Sequence, residues 1–271
     1  MNYTLIAGSS GFLGSFLVNK LLELDYNVIG IDRNQALVKH PNYTHYKIDI
    51  SSKLEVKNIF SNYKINSVFY LAGVLKDTDD RDIIFENVYK YNEFISSISE
   101  SSYSGIFNLI SSCAVYGQYN KKIKEDDCCR PVNIYGLTKL YQENIALEMF
   151  GRKVNIFRVF NLVGPGQKNN LFVSSIINKF NSNPTQIDVY NPGSVRDYID
   201  VRDVVIILSH LAYKRNNTFL NLCTSKGYDV HHVVNYIKSK SNSNCSLNLI
   251  ENHAFNEIKK SIGCNKKLLS L

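Results

Sequence analysis

Long apolar runs are missing from this chain of 271 residues: the longest aliphatic stretch is Val204 to Leu208, far short of the roughly 18 residues a membrane span needs. No membrane association is expected. The opening residues reach Gly8 after a few apolar positions, without the basic flank and apolar core of a signal peptide, so a cytoplasmic protein is expected. Proline is scarce, 5 against 14 glycines, and 44% apolar with 20% charged residues excludes both a disordered chain and a fibrous repeat. Six cysteines contain no C-x-x-C, and Cys128 and Cys129 are neighbours, which argues for reduced thiols over a disulfide framework. The histidines include the pair His231 and His232 but no H-x-x-x-H spacing, so no metal site is expected. Neither an internal repeat nor a low-complexity linker is visible, although Ser239 to Ser246 is polar enough for a loop.

A net charge of +7 raises the question of nucleic acid, but residues 231 to 271 carry +4 of it. Lys259-Lys260 and Lys266-Lys267 read as a solvated helix face and a chain end rather than a groove, so no nucleic-acid partner is expected.

What is present is an alternation. Tyr3 to Ala7, Asn27 to Ile31, Thr44 to Lys47, Ser67 to Leu71 and Ile106 to Ile110 are short and apolar or β-branched, and longer helical patterns separate them. Such alternation predicts an α/β fold, a parallel sheet covered by helices on both faces. Phe12, Leu13, Phe16, Leu17, Leu21 and Leu24 recur at helical spacing and press the first helix onto that sheet. A strand at Asn155 to Val159 follows a helix starting near Tyr135. After Gly164-Pro165-Gly166 the order loosens, with a helix near Leu171 to Phe180, a strand near Ile187 to Tyr190, a helix from about Val201 to Tyr213 and a strand at Thr218 to Asn221. The expected division is residues 1–161 as a nucleotide-binding domain and 162–271 as a smaller α/β lobe that returns a late strand near 218–222 to the main sheet.

Gly8-Ser9-Ser10-Gly11-Phe12-Leu13-Gly14 follows the first strand and opens the first helix, so the glycines fall where a phosphate must approach the backbone and meet a helix N-terminus. Asp32 ends the second strand, 18 residues beyond Gly14, where its carboxylate can accept hydrogen bonds from an adenosine ribose. Strand, loop, helix, strand and acid together predict a dinucleotide site. Asp32 repels a 2′-phosphate and favours NAD(H), while the neighbouring Arg33 keeps NADP(H) open.

Three Y-x-x-x-K matches occur, at Tyr43, Tyr135 and Tyr236. Four residues make one helical turn, so the pair must sit on a helix to face one partner. Tyr43 follows Pro41 in a strand candidate, and Tyr236 lies in a late helix outside the nucleotide-binding half. Tyr135 and Lys139 start the helix after the fifth strand, which itself ends in Ser111-Ser112 at the sheet edge where open α/β sheets bind ligands. A lysine ammonium and a nicotinamide cation beside a phenol stabilise phenolate and lower its pKa, so Tyr135 can exchange a proton with a sugar hydroxyl or carbonyl. Ser112 can hydrogen-bond the same oxygen.

At this point the chain resembles the extended short-chain dehydrogenase/reductase family, in its sugar-nucleotide epimerase, dehydratase and reductase branch. The resemblance covers nearly the whole chain. Ser111-Ser112-Cys113-Ala114-Val115-Tyr116-Gly117 is similar to that family's serine segment and puts the catalytic hydroxyl at Ser112, with Tyr135 and Lys139 completing the set. The resemblance also implies cofactor contacts from Gly8, Ser10, Gly11, Phe12, Leu13, Gly14, Asp32 and Arg33, from Asp49-Ile50 at the adenine, Leu71-Ala72-Gly73 along the cofactor, Asn87 in the following helix, Tyr135, Lys139 and Phe160. Arg158-Val159-Phe160-Asn161 resembles the strand-end motif whose asparagine contacts a substrate diphosphate, and Arg196-Asp197-Tyr198 resembles the motif whose arginine binds the sugar nucleotide. Ser112, Tyr135, Asn161 and Arg196 are therefore the expected substrate contacts, and a nucleotide-diphosphate sugar the expected partner. Planar guanidinium and amide donors suit its oxygens.

Departures from the family pattern narrow the reaction. Dehydratases carry an acid within two residues after the active-site hydroxyl, where Cys113 and Ala114 stand, which argues against dehydration. The related epimerase-reductases place a cysteine where Ala114 stands and a histidine where Leu162-Val163 stands. Two reactions remain: reduction of the C4 keto group of a nucleotide 4-keto-6-deoxyhexose, which the segments 161–167 and 200–205 resemble most, or 4-epimerisation of a nucleotide hexose with tightly bound NAD. A catalytically silent dinucleotide-binding protein is a third class, with no reason to keep Ser112, Tyr135 and Lys139. The late R-x-x-G-D segment of many epimerases is absent, so residues from Ser246 onward are expected to supply part of the substrate wall. A homodimer through helices near Phe85 to Ile98 and Tyr135 to Met149 is expected from the resemblance.

Overall fold

Short apolar segments that tolerate cover on both faces build the centre of the molecule. In this computed structural model, residues 2–75, 79–214, 218–241, 243–251 and 258–271 are described. Chain order is β1 (Tyr3–Ala7), α1 (Phe12–Glu23), β2 (Asn27–Asp32), β3 (Tyr43–Lys47), α2 (Lys53–Asn62), β4 (Ile65–Tyr70), α3 (Asp80–Ile84), a π-helical turn (Phe85–Tyr89), α4 (Lys90–Ser99), β5 (Ile106–Ser112), α5 (Ile134–Phe150) and β6 (Val154–Val159). There follow β7 (Asn161–Val163), α6 (Phe172–Asn181), β8 (Gln186–Tyr190), β9 (Val195–Arg196), β10 (Tyr198–Asp200), α7 (Val201–Leu211), β11 (Thr218–Leu222), β12 (Tyr228–Asp229), α8 (Val230–Ser241), β13 (Ser246–Ile250) and β14 (Lys260–Ser261). The strands expected from the sequence are found within two residues at each end.

Seven strands form one parallel sheet in the order β11-β6-β5-β4-β1-β2-β3. This is a Rossmann-type doubly wound sheet. Its order reverses between β1 and β4, which opens a crevice at their carboxyl ends. Alternation along each strand divides the core. Leu5 and Ala7 of β1 join Val56, Ile59, Phe94, Ile98 and Ala146 on the face covered by α2, α4 and α5. Ile6 joins Leu17, Leu21, Val204 and Leu208 on the face covered by α1 and α7. Leu17 and Leu21 are fully buried, and each contributes about 1.5–3 kcal/mol to the attachment of α1.

Beyond β6 the chain forms three small sheets, β10-β7, β12-β9-β14 and β13-β8. Ile176 and Phe180 of α6, Ile187 and Val189 of β8, and Val230 and Val234 at α8 pack into a separate apolar cluster. The chain then returns twice: α7 packs on α1, and β11 pairs in parallel with β6. Among the described residues no helix is long and apolar enough to cross a membrane, and no group of three metal-binding side chains occurs.

Candidate active site

The glycine loop is shaped by close approach. Gly8 has φ +89°, outside the range of ordinary side chains, and an added Cβ there would lie 2.8 Å from Ala72 N; at Gly14 it would lie 2.0 Å from Gly8 O. The loop is thus folded against the turn after β4, and α1 starts at once. Its N-cap Gly11 supplies no side-chain hydrogen bond and its first turn holds no acid, which leaves the positive end of the helix available to an anion.

A cavity of about 430 Å³ opens here at the order reversal. Of the expected cofactor residues, Gly8, Ser10, Gly11, Phe12, Asp32, Arg33, Asp49, Ile50, Leu71, Ala72 and Gly73 line it. Leu13, Gly14, Asn87, Tyr135, Lys139 and Phe160 stand off its wall. Gly14 packs beneath the loop, Asn87 clamps the turn after β4 through Val74 N (2.8 Å) and Val74 O (2.9 Å), and Phe160 is buried beside Tyr116 and Ile123. A cavity of about 520 Å³ at the amino ends of β4 and β5, among Tyr63, Tyr103 and Tyr213, contains none of the expected residues.

The end of the cavity at Asp32 and Asp49 is charged and internally paired. Asp32 accepts from Ser10 N (3.1 Å) and Asn34 N (2.9 Å). Lys90, nearly buried, bonds Asp49 at 2.6 Å and Glu86 at 2.9 Å. Burial pushes the Asp49 carboxyl up, but its bonds from Lys90 and Ser51 outweigh this and hold its pKa below the ordinary value. Arg33, read from sequence as a possible partner for a 2′-phosphate, donates instead to Glu86 at 3.0 Å, with Asp49 at 4.0 Å. Glu86 and Lys90 carried no sequence signal, since each meets its partners only through the fold.

The proposed chemical residues converge at the end of β5. Asn133 caps α5 by accepting from Gly136 N at 2.8 Å, and a Cβ on Gly136 would sit 2.5 Å from Ala114 O. The first turn of α5 therefore lies directly on the segment after Ser112. Burial pushes the Tyr135 phenol up to about 12, against hydrogen bonding to Ser112. The Lys139 ammonium lies 6.0 Å from the centroid of the Tyr135 ring. Lys139 is itself buried, its pKa drawn down to about 8 by desolvation against the opposing charge of Glu143, and its Nζ donates to Ile110 O and Gln142 Oε1, both at 3.1 Å.

Behind this group lies a buried ion pair that the motif reading did not contain. Arg158 donates through Nε (2.9 Å) and Nη2 (2.7 Å) to Glu143, which also accepts from Ser111 Oγ at 2.5 Å. Arg158 Nη1 reaches Tyr116 Oη at 2.9 Å, and Tyr116 donates to Asn221 at 2.7 Å. Asn161, expected at a diphosphate, donates its amide to Asp197 O at 2.9 Å. Arg196 donates to Val195 O at 3.0 Å, and its charge acts on Cys113, whose thiol burial pushes up to about 11 against a bond to Ser261 and the Arg196 charge. Asp197 turns inward and gathers the late chain, accepting from Thr224 N and Oγ1, Ser225 N and Gly263 N.

The model of the NAD dependent epimerase/dehydratase family matches residues 4–223. The chain belongs to this family. The resemblance read from the motifs holds at that level, and the family's name carries its cofactor. Among curated relatives the family member is 26% identical to the GDP-6-deoxy-D-talose 4-dehydrogenase of Aggregatibacter actinomycetemcomitans, over 98% of this chain and 90% of the relative. It is 27% identical to the dTDP-4-dehydro-6-deoxyglucose reductase of Escherichia coli, over 89% and 82%. Among solved structures it superposes on MoeE5 in complex with UDP-glucuronic acid and NAD with a TM-score of 0.87 and 26% identity, covering 98% of this chain and 91% of that one.

Proposed function

We propose that the chain is a cytoplasmic, homodimeric oxidoreductase that uses NADH to reduce the C4 keto group of a nucleotide 4-keto-6-deoxyhexose. One observation carries the reading: Tyr135 is within hydrogen-bonding reach of Ser112 at the carboxyl end of β5, one helical turn from buried Lys139. The two curated relatives act on C4 of 6-deoxyhexose nucleotides by their names, and Cys113 and Ala114 stand where a dehydratase needs an acid.

The cofactor is NAD(H), and the residues present fit it. The uncapped start of α1 and the Gly8–Gly14 loop would hold the diphosphate, Asp32 the adenosine ribose, Asp49 and Ile50 the adenine, and Lys139 the nicotinamide ribose. Arg33, committed to Glu86, favours NADH over NADPH. When bound, the cofactor supplies hydride. Tyr135 donates its phenolic proton to the C4 carbonyl oxygen, Ser112 hydrogen-bonds that oxygen, and the Lys139 ammonium stabilises the phenolate left behind until solvent returns the proton. Asn161 and Arg196 bind the substrate diphosphate, within a lobe made of residues 162–271 apart from α7 and β11. Exposed Ile84, Phe85, Tyr89 and Leu137, on packed elements α3, the π turn and α5, supply an apolar face for a second copy.

The test mixes purified protein with NADH or NADPH and a panel of nucleotide 4-keto-6-deoxyhexoses and UDP-hexoses, following cofactor absorbance and sugar product together. Stoichiometric NADH loss with a keto sugar is expected, and Tyr135→Phe should lower turnover about 10²–10⁴-fold while NADH still binds. Interconversion of hydroxyl epimers without net NADH loss would replace this reading with the 4-epimerase. Retained turnover in Tyr135→Phe would remove the phenol from the chemistry.

A further inference from the structure

Gln142 is fully buried on α5, three residues after Lys139 and seven after Tyr135, so all three share one helix face. Its two amide ends are both used. Oε1 accepts from Lys139 Nζ at 3.1 Å, and Nε2 donates to the main-chain O of Asn87 at 2.6 Å. Asn87 belongs to the π-helical turn between α3 and α4, a widening of the kind found at functional positions. The Asn87 side chain in turn holds Val74 N and O, and donates to Thr138 Oγ1 at 3.2 Å. The turn at Leu71 to Val74 lines the cofactor cavity, and a Cβ on Gly73 would lie 3.8 Å from Lys139 Nζ.

We propose that Gln142 is a positioning residue: its amide ties the Lys139 ammonium to the Asn87 carbonyl and so registers the chemical end of α5 against the cofactor-binding turn. This rests on the reading of Lys139 given under Proposed function. A buried amide cannot leave its hydrogen bonds without leaving the Lys139 ammonium and the Asn87 carbonyl short of partners, so the arrangement is stiff. Among the described residues the groups facing Lys139 are few. Tyr135 and Glu143 come from its own helix, Arg158 of β6 takes up the Glu143 carboxylate, and β5 and the π turn present the neutral Ile110 carbonyl and Asn87. A neutral acceptor at 142 therefore leaves the charge of Lys139 to burial and Glu143 alone.

The test compares Gln142→Met, which keeps the volume and removes both bonds, with Gln142→Glu, which keeps the acceptor for Lys139, loses the donor to the Asn87 carbonyl and adds a charge. For Gln142→Met the expected results are about a 10-fold or greater fall in kcat, a substrate KM within twofold, and NADH binding weakened about fivefold in a fluorescence titration. For Gln142→Glu the basic limb of the pH–rate profile should move up by about one unit, because a carboxylate favours the charged lysine. Should Gln142→Met fail to fold, kcat and NADH affinity of the near-isosteric Gln142→Glu, which also lacks the bond to the Asn87 carbonyl, decide. Wild-type kcat, NADH affinity and pH profile in folded variants would overturn the proposal. Lys139→Met separates the two readings: if it keeps turnover, the assignment of Lys139 itself is wrong, whereas if it loses turnover and the Gln142 variants do not, only this inference fails.

Discussion

Replacing Glu143 by Gln removes one charge from a pair in which Arg158 and Glu143 are 4% and 1% exposed. The guanidinium then keeps Tyr116 Oη and the Glu125 carbonyl as neutral acceptors but loses its counter-ion, and Ser111 loses a charged acceptor. Burial alone works against the Arg158 charge; Glu143 is what holds its pKa above the ordinary value. Breaking such a pair from one side costs about 3–5 kcal/mol, because an uncompensated charge is left in a dry site. For a chain of this size that is a fall in Tm of roughly 6–15 °C. The assay is thermal and urea unfolding by circular dichroism without added cofactor, since a ligand bound to the folded state would mask the loss. The double variant Glu143→Leu with Arg158→Met should recover most of it, giving a coupling of about 2 kcal/mol or more in the cycle. A shift under about 2 °C for Glu143→Gln, or an additive cycle, would refute the claim that this pair is a structural element under the site.

Three further outcomes are expected. Glu86→Gln releases Arg33 from its 3.0 Å partner, and kcat/KM for NADPH relative to NADH should rise about 10-fold; an unchanged ratio would mean that Arg33 does not face the adenosine ribose. Asp49 has a folded pKa below its ordinary 3.8, so its stabilising contribution is complete above that value and lost as pH falls through the lower folded value; the Tm gap between wild type and Asp49→Asn should hold constant from neutral pH down to the ordinary carboxylate value and narrow progressively below it, and a gap independent of pH would exclude the Asp49–Lys90 linkage. Phe85→Ser with Leu137→Ser, both exposed now, should leave the far-UV circular dichroism unchanged and make the protein elute as a monomer; a persisting dimer would exclude this face.

The legibility of this molecule follows sequence distance. The β1–glycine loop–α1–β2 unit is local, each step set by the one before it, and Asp32 lies 18 residues from Gly14. Setting aside two of the three tyrosine–lysine matches needed only the knowledge that Tyr43 is in a strand and Tyr236 in a late helix, as they are in β3 and α8. How closely the first turn of α5 seats against the segment after Ser112 was not legible, because that contact is made only in the fold.

The sequence by itself determined the alternating α/β fold, the glycine loop with its acid, and the candidates Ser112, Tyr135 and Lys139, since strand and helix periods and single-turn spacings are written in neighbouring residues. Only the tertiary structure decided that Arg33 meets Glu86 across 53 residues, that Gln142 meets Asn87 across 55, and that Glu143 is shared by Ser111 and Arg158. Those partners are chosen by packing. Glu86, Gln142 and Glu143 look in sequence like ordinary polar helix residues, and a buried polar group acquires its meaning from whichever distant donor or acceptor the fold brings to it.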